Sequence, residues 1–153
     1  MNSWVVGPVD FRIEQATLRD LSGLRNLEQE CFGNDSWPLL DIIAALSLPG
    51  EVRLKAIVGE LMVGFVGGSP HHKEGMGWIT TIGVKEEYRR MGIGRALLDA
   101  CEEKMAVPCI RLTVRRTNVE AIEMYSRAGY VQVDFWRKYY PSGEDAYVYE
   151  KRR

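Results

Sequence analysis

The segment that most constrains the fold lies at residues 78–101, where an apolar strand pattern, a basic glycine turn and an amphipathic helix pattern follow without a gap. Gly92 and Gly94 have no side chains, so backbone amides in this turn can approach an anion at the helix start, where the helix dipole favours negative charge. Arg89, Arg90 and Arg95 add positive charge around the turn. The segment predicts a phosphate-binding site, although two glycines before a helix also occur in ordinary tight turns.

Two widespread phosphate-binding motifs do not fit this turn. Leu97 stands where a dinucleotide fingerprint has its third glycine, and Arg95-Ala96 stands where a P-loop has Lys-Ser/Thr. The pattern Arg-x-x-Gly-x-Gly-x-Ala, from Arg89 to Ala96, instead resembles the pyrophosphate-binding signature of the GNAT superfamily of N-acetyltransferases. That resemblance implies acetyl-coenzyme A as the acetyl-donor cosubstrate, held by Arg89, Arg90, Met91, Gly92, Ile93, Gly94 and Arg95.

Composition narrows the classes of protein to consider. A chain of 153 residues that is 46% hydrophobic can bury a real core, and we expect one domain over residues 1–153. The net charge of −1 argues against direct nucleic-acid binding, and no long uncharged apolar run predicts a membrane segment. Three cysteines, an odd number without metal-ligand spacing, favour a reduced, cytoplasmic protein. His71 and His72 have no third ligand in range in the sequence, so we expect no metal site.

Periodicity predicts the element order β-α-α-β-β-β-α-β-α-β-β. This is a mixed α/β (α+β) fold, and with the resemblance it implies a GNAT-like, mostly antiparallel sheet of about seven strands flanked by about four helices. Within it we expect a lead-in over residues 1–10, a capping-box helix start at Thr17, a polar flexible loop at Gly67–Gly75, a strand at Tyr130–Tyr140 and a loose tail from Lys151.

Two further motifs extend the resemblance over nearly the whole chain. They are Asn-x-x-Ala-Ile-x-x-Tyr, from Asn118 to Tyr125, and Tyr-Tyr followed by Gly-Glu-Asp-Ala, from Tyr139 to Ala146. Both resemble archaeal and eukaryotic protein N-terminal α-acetyltransferases and the bacterial ribosomal-protein-alanine enzyme. The resemblance implies acetyl transfer to free protein or peptide N-termini by direct attack in a ternary complex, with the ribosome or nascent chains as candidate partners. The alternatives are acetylation of a lysine side chain or small-molecule amine, and a non-catalytic acyl-CoA sensor or subunit.

The same resemblance suggests roles for individual residues. The strand end at Ile82, Gly83 and Val84 is expected to hold the pantetheine arm as an added strand would, and the Val84 amide to donate to the thioester oxygen. The resemblance assigns Asn118 to coenzyme A and Tyr125 to protonation of the departing thiolate. A tyrosine at this helical position can also simply pack in the core.

The acceptor side of the site is less well determined by sequence. Phe32 and Trp37 flank a turn and are either core residues or a substrate wall. Tyr139 and Tyr140 precede a turn, and the resemblance assigns such a pair to the peptide backbone, although adjacent strand residues face opposite ways and cross-strand packing is the other interpretation.

The general base is the largest gap in the pattern. Thr113 stands where several relatives carry a glutamate, and a threonine cannot accept a proton near pH 7. Deprotonation then runs through water to Glu30, Asp35 or a backbone carbonyl, or the amine binds already neutral. A missing base is less costly for an α-amine, with a pKa near 8, than for a lysine near 10.4, which favours peptide N-termini.

Overall fold

A computed structural model describes residues 10–153 and contains seven strands and four α-helices within that range. Residues 1–9 of the predicted lead-in lie outside the described residues. In chain order the elements are β1 (Arg12–Gln15), α1 (Leu21–Phe32), α2 (Leu39–Ser47), β2 (Val52–Val58), β3 (Leu61–His71), β4 (Met76–Val84), α3 (Ile93–Met105), β5 (Cys109–Arg115), α4 (Val119–Arg127), β6 (Val131–Trp136) and β7 (Ala146–Arg152).

The strands form one mixed sheet in the order β1-β2-β3-β4-β5-β7-β6. All neighbouring pairs are antiparallel except β4 and β5, which are parallel and are connected through α3. A parallel pair needs a crossover connection, and α3 provides it. The predicted element order and mixed, mostly antiparallel sheet are confirmed.

The parallel pair β4/β5 separates soon after it forms. Ladder pairing covers only residues 76–78 of β4 and 109–111 of β5. Just beyond, the register of β3 against β4 shifts, because Gly67 pairs with Thr81 while Gly68 pairs with Ile79, so Thr80 is an extra residue on β4. A β-bulge bends its strand. Within the described residues, β4 from Ile79 to Val84 has no ladder partner on its β5 side, and a gap opens there.

The two faces of the sheet carry separate hydrophobic cores. The larger core packs α3 and α4 against the sheet centre, and the smaller one packs α1 and α2 against β2 and β3 around Phe65. Gly68 allows the close approach of α3, since a Cβ there would lie 2.6 Å from Cys101 Sγ and 2.9 Å from Met105 Sδ. Helices therefore pack on both faces of the sheet, with α3 and α4 on one face and α1 and α2 on the other.

Several local predictions can be compared with this architecture. The capping box at Thr17 is confirmed, on a 3₁₀ turn that leads into α1. The predicted loop at Gly67–Gly75 is wrong, because β3 continues to His71 and pairs with β4, leaving only a short turn. The predicted loose tail is wrong at Lys151 and Arg152, which belong to β7. The predicted strand to Tyr140 is too long, because β6 ends at Trp136 and Tyr139 and Tyr140 lie in a loop.

Candidate active site

A cleft of about 1070 Å³ opens at the end of the gap between β4 and β5. Its walls come from the ends of β4 and β5, the turn before α3, and the start of α4. Of the residues predicted to bind the acetyl donor, nine line it: Ile82, Gly83, Val84, Arg89, Arg90, Gly92, Gly94, Arg95 and Asn118. The side chains of Met91 and Ile93 do not; Ile93 is 1% exposed in the larger core.

The turn before α3 presents free backbone amides. Gly92 is the N-cap with φ of 83°, a left-handed conformation that favours glycine, and no side chain among residues 10–153 caps this helix end. The first helical bond runs from the Ala96 amide to the Gly92 carbonyl, so the first-turn amides before Ala96 lack helical acceptors. Uncapped amides at the positive end of a helix dipole suit a phosphate.

The three arginines around this turn have protein partners. Arg89 donates from Nε to the Val84 carbonyl oxygen at 2.9 Å. Arg90 pairs with Glu120 across the cleft, and Arg95 with Asp99 at 3.0 Å along α3. The two ion pairs are exposed at the surface, so an incoming anion can compete for their guanidinium groups at little energetic cost.

The backbone of Val84 faces the gap. The next residue, Lys85, donates its amide to the Val63 carbonyl at 2.8 Å, toward β3. Because successive residues of a strand direct their backbone groups to opposite edges, the Val84 amide and carbonyl point away from β3. The Val84 carbonyl accepts from Arg89 Nε and from Cys31 Sγ. The Val84 amide is left directed into the cleft, in the orientation that an oxyanion donor requires.

Tyr125 lies where this cleft meets a second, smaller cavity, and it lines both. The side chain is 4% exposed, and its ring packs edge-on against Tyr130 at 5.9 Å. Its hydroxyl has no hydrogen-bond partner among the described residues. The oxygen is nevertheless accessible, so the hydroxyl faces the cavity. Burial raises the pKa of Tyr125. The ring is thus a core residue, while the hydroxyl stays protonated and accessible.

The smaller cavity, of about 120 Å³, is the candidate acceptor site. Phe32, Trp37, Thr113 and Tyr140 line it, and the Tyr140 hydroxyl donates to Thr113 Oγ1 at 3.3 Å. Tyr139 does not line it; this side chain is 50% exposed and packs between Trp136 and Tyr140. Of the tyrosine pair, therefore, Tyr140 reaches the cavity and Tyr139 faces outward.

Arg115 joins the two loops that border the acceptor cavity. Its guanidinium lies over the rings of Phe32 and Tyr140, 5.2 and 4.6 Å from their centroids. It donates to Asp35 Oδ2 at 2.7 Å, and Asp35 also accepts from the backbone amide and the hydroxyl of Ser142. Burial alone would raise the pKa of Asp35, but these hydrogen bonds hold that pKa below its usual value. We call this Asp35–Arg115–Ser142 group the loop clasp.

Comparison with known proteins identifies the family. The model of the acetyltransferase (GNAT) family matches residues 21–130. The chain belongs to this family. Over 140 residues it is 33% identical to the N-alpha-acetyltransferase RimI of Mycobacterium tuberculosis, covering 86% of each chain. It is also 33% identical to an N-acetyltransferase of Methanocaldococcus jannaschii, whose function is uncharacterized, over 92% of this chain and 91% of that one.

Solved structures of other acetyltransferases share the fold. The ribosomal-protein-alanine N-acetyltransferase from Escherichia coli superimposes with a TM-score of 0.83 at 23% identity, over 94% of both chains. Arabidopsis thaliana NAA60, solved in complex with acetyl-CoA, has a TM-score of 0.82 at 18% identity, over 94% of this chain and 98% of that one. The resemblance predicted from the sequence is confirmed.

The carboxylates of this acetyltransferase are arranged differently from the sequence-based expectation. Glu30, one predicted proton acceptor, points to the outside, where it binds Lys85 Nζ at 3.3 Å and the Glu86 amide at 3.2 Å. Asp35, the other, is occupied by the loop clasp. Neither carboxylate is free to accept a proton from an amine in the acceptor cavity.

Glu28 is the acidic residue that the sequence reasoning missed. It is 3% exposed, lines the acceptor cavity, and accepts hydrogen bonds from the Thr81 hydroxyl at 3.0 Å and the Trp37 amide at 3.3 Å. Burial raises its pKa, and these two hydrogen bonds oppose that only in part. A signal was available, because Glu28 falls on the helical stripe of Leu24, Leu27 and Cys31, and an acid on an apolar stripe is unusual.

Proposed function

We propose that this acetyltransferase transfers the acetyl group of acetyl-CoA to the free N-terminal α-amine of a protein or peptide, by direct attack in a ternary complex. The observation that carries the proposal is the junction of the two cavities at Tyr125. A donor in the large cleft and an amine in the small cavity would meet beside that hydroxyl. Direct transfer needs both substrates bound at once, which two adjoining cavities would allow.

The residues of the cleft match the needs of the donor. The uncapped amides before Ala96 suit the pyrophosphate, and the gap-facing edge at Ile82 and Val84 suits the pantetheine arm. Acetyl-CoA supplies an activated thioester. As the amine attacks its carbonyl carbon, the Val84 amide stabilises the developing oxyanion, and Tyr125 gives its proton to the departing thiolate. Asn118, which lines the cleft, caps α4 with its Oδ1, so its amide nitrogen remains available as a donor.

Three observations favour an α-amine as acceptor. The acceptor cavity is small, and the loop clasp ties together the two loops that border it. An α-amine with a pKa near 8 is about 10% neutral at pH 7, whereas the neutral fraction of a lysine amine is well below about 0.1%. Because Thr113 stands where relatives carry a base, the amine with the larger neutral fraction is the better acceptor. The relative from M. tuberculosis carries the name N-alpha-acetyltransferase. We infer that the acceptors are cytoplasmic protein N-termini, including those of nascent chains.

A peptide panel tests the proposal. Peptides with free N-termini and the same peptides with blocked N-termini, each containing one lysine, are incubated with acetyl-CoA, and mass spectrometry locates the added acetyl group. We expect acetylation of the free α-amine and none of the blocked peptide. Equal rates on both would assign the protein to lysine side chains. Tight acetyl-CoA binding without transfer to any amine would indicate an acyl-CoA sensor.

A further inference from the structure

The acceptor cavity needs a group that takes a proton from the incoming amine. At neutral pH an α-amine is mostly an ammonium ion, which cannot attack a thioester until it loses a proton. Two carboxylates, Glu28 and Asp35, line this cavity within the described residues. Asp35 already accepts from Arg115 and Ser142 with both of its oxygens. Glu28 is therefore the carboxylate with remaining capacity.

Glu28 is a buried carboxylate with unused hydrogen-bond acceptor capacity and no cationic partner among the described residues. Each of its oxygens accepts one hydrogen bond from a neutral donor, although a carboxylate has about four acceptor sites. No lysine, arginine or histidine nitrogen of residues 10–153 lies within 4.0 Å of it. A buried charge without a partner is costly, so the Glu28 site stabilises a cation or a proton that enters the cavity.

We propose that Glu28 is the general base of this acetyltransferase, accepting the amine proton directly or through one water molecule. This inference rests on the proposed function. The ammonium transfers its proton to the Glu28 carboxylate, and the freed nitrogen lone pair forms the C–N bond. The C–S bond then breaks, its electron pair stays on sulfur, and the thiolate takes the Tyr125 proton. After the attack the nitrogen is positively charged and loses its second proton to water. Glu28 releases the first proton to solvent and Tyr125 regains one from solvent, so the net products are acetylated amine, coenzyme A and one proton.

The surroundings of Glu28 set its proton affinity. Arg115 on β5 attracts its charge from beyond ion-pair distance, and that guanidinium is largely compensated by Asp35. Tyr125 on α4 and Tyr140 in the β6–β7 loop face the same cavity as neutral hydroxyls. Cys31 lies on the same face of α1 as Glu28 and lines the neighbouring larger cleft. Burial dominates, and it moves the pKa of Glu28 toward the range in which a base is effective at neutral pH.

The experiment compares pH profiles of wild type and Glu28→Gln. Glutamine has the same shape and retains partners for Thr81 and the Trp37 amide, so the fold should be kept. Without the base, the reaction depends on amine that is neutral in solution. For a pKa near 8 the neutral fraction is about 3% at pH 6.5 and about 76% at pH 8.5, so kcat/KM of the variant should rise roughly 25-fold between them. The wild type should rise less than about 5-fold, because its base takes the proton from the ammonium form of the amine, which predominates below pH 8.

Glu30→Gln is the matched control, because it makes the same change two residues away on the outside of α1; its profile should keep the wild-type shape. Added formate should restore activity of Glu28→Ala at pH 6.5 by supplying a small carboxylate. Parallel profiles for wild type and Glu28→Gln, with no formate rescue, would overturn the base assignment. If Glu28→Gln does not fold, Glu28→Asp replaces it, and a profile that follows the amine pKa there would equally contradict the proposal.

The profiles are measured on whichever amine the wild type acetylates. An acceptor other than a peptide N-terminus would refute the proposed function, while the effect of Glu28→Gln on the pH profile would still report on the base.

Discussion

Tyr125 and Tyr130 offer a paired test of the catalytic assignment. Their rings contact each other at 5.9 Å, and both are almost fully buried, at 4% and 2% exposure. They differ in what the hydroxyl touches. Tyr130 donates to the buried Glu102 at 2.8 Å, whereas the Tyr125 hydroxyl meets no partner within the described part of the chain. The same tyrosine-to-phenylalanine change should therefore have opposite effects at the two positions.

Tyr125→Phe should lower turnover with little loss of stability. Removing a proton donor typically lowers the rate by roughly 100-fold, equal to about 2.7 kcal/mol of transition-state stabilisation. Folding stability should change by less than about 0.5 kcal/mol, because no intramolecular hydrogen bond is lost. Affinity for acetyl-CoA should stay close to the wild-type value.

Tyr130→Phe should do the reverse. A hydrogen bond to a buried carboxylate contributes about 1.5–3 kcal/mol, and a chain of this size loses about 2–4 °C of Tm per kcal/mol. The expected loss is roughly 3–12 °C, with turnover near the wild-type value. Release of free thiol measures turnover and circular dichroism measures melting. A Tyr125→Phe enzyme that melts early and turns over normally would refute the catalytic assignment and leave Tyr125 as a core residue.

Two further predictions address the cleft and the loop clasp. Gly92→Asp and Gly94→Asp should abolish acetyl-CoA binding in calorimetry, because each adds a negative charge beside the phosphate-facing amides. Gly50→Asp is the control for backbone strain, since Gly50 has a φ of 84° against 83° at Gly92 and open space around it. This control variant should bind acetyl-CoA normally. Asp35→Asn should cost roughly 2–3 kcal/mol at pH 7 in urea unfolding. Because the pKa of Asp35 is lowered in the fold, that stabilisation is present above the unfolded pKa of about 3.9 and is lost as the pH falls through the folded value, so the two proteins should converge near pH 2. A constant difference down to that pH would contradict the assigned charge.

Much of the fold could be predicted because local signals agreed with it. Thr17 has a complete capping box, Gly59-Glu60 joins β2 and β3 as a hairpin, and Gly92 takes the left-handed conformation before α3. Gly67 and Gly68 misled the prediction, because glycine usually signals a loop. Here Gly68 is required by the close approach of Cys101 and Met105, a long-range contact that no local pattern reveals.

The acceptor site was harder to predict for a related reason. Glu30, Asp35 and Glu28 are close in sequence, yet they face solvent, a salt bridge and a cavity, respectively. Which environment each carboxylate meets depends on β4, β5 and the β6–β7 loop, all of which lie far along the chain. The predicted roles of the acetyl-donor residues stay predictions, although the fold brings most of them to one cleft.

The short β4/β5 ladder also has a consequence for cooperativity. Within residues 10–153, only three ladder pairs join the half-sheet β1–β4 to the half-sheet β5-β7-β6, while the neighbouring antiparallel ladders on both sides are longer. Amides along the edges of the gap, which have no ladder partner there, should exchange with solvent faster than the paired amides of β4 and β5. A donor molecule lying in the gap would bridge the two half-sheets, so substrate occupancy and the mechanical coupling between the halves of this protein should rise together.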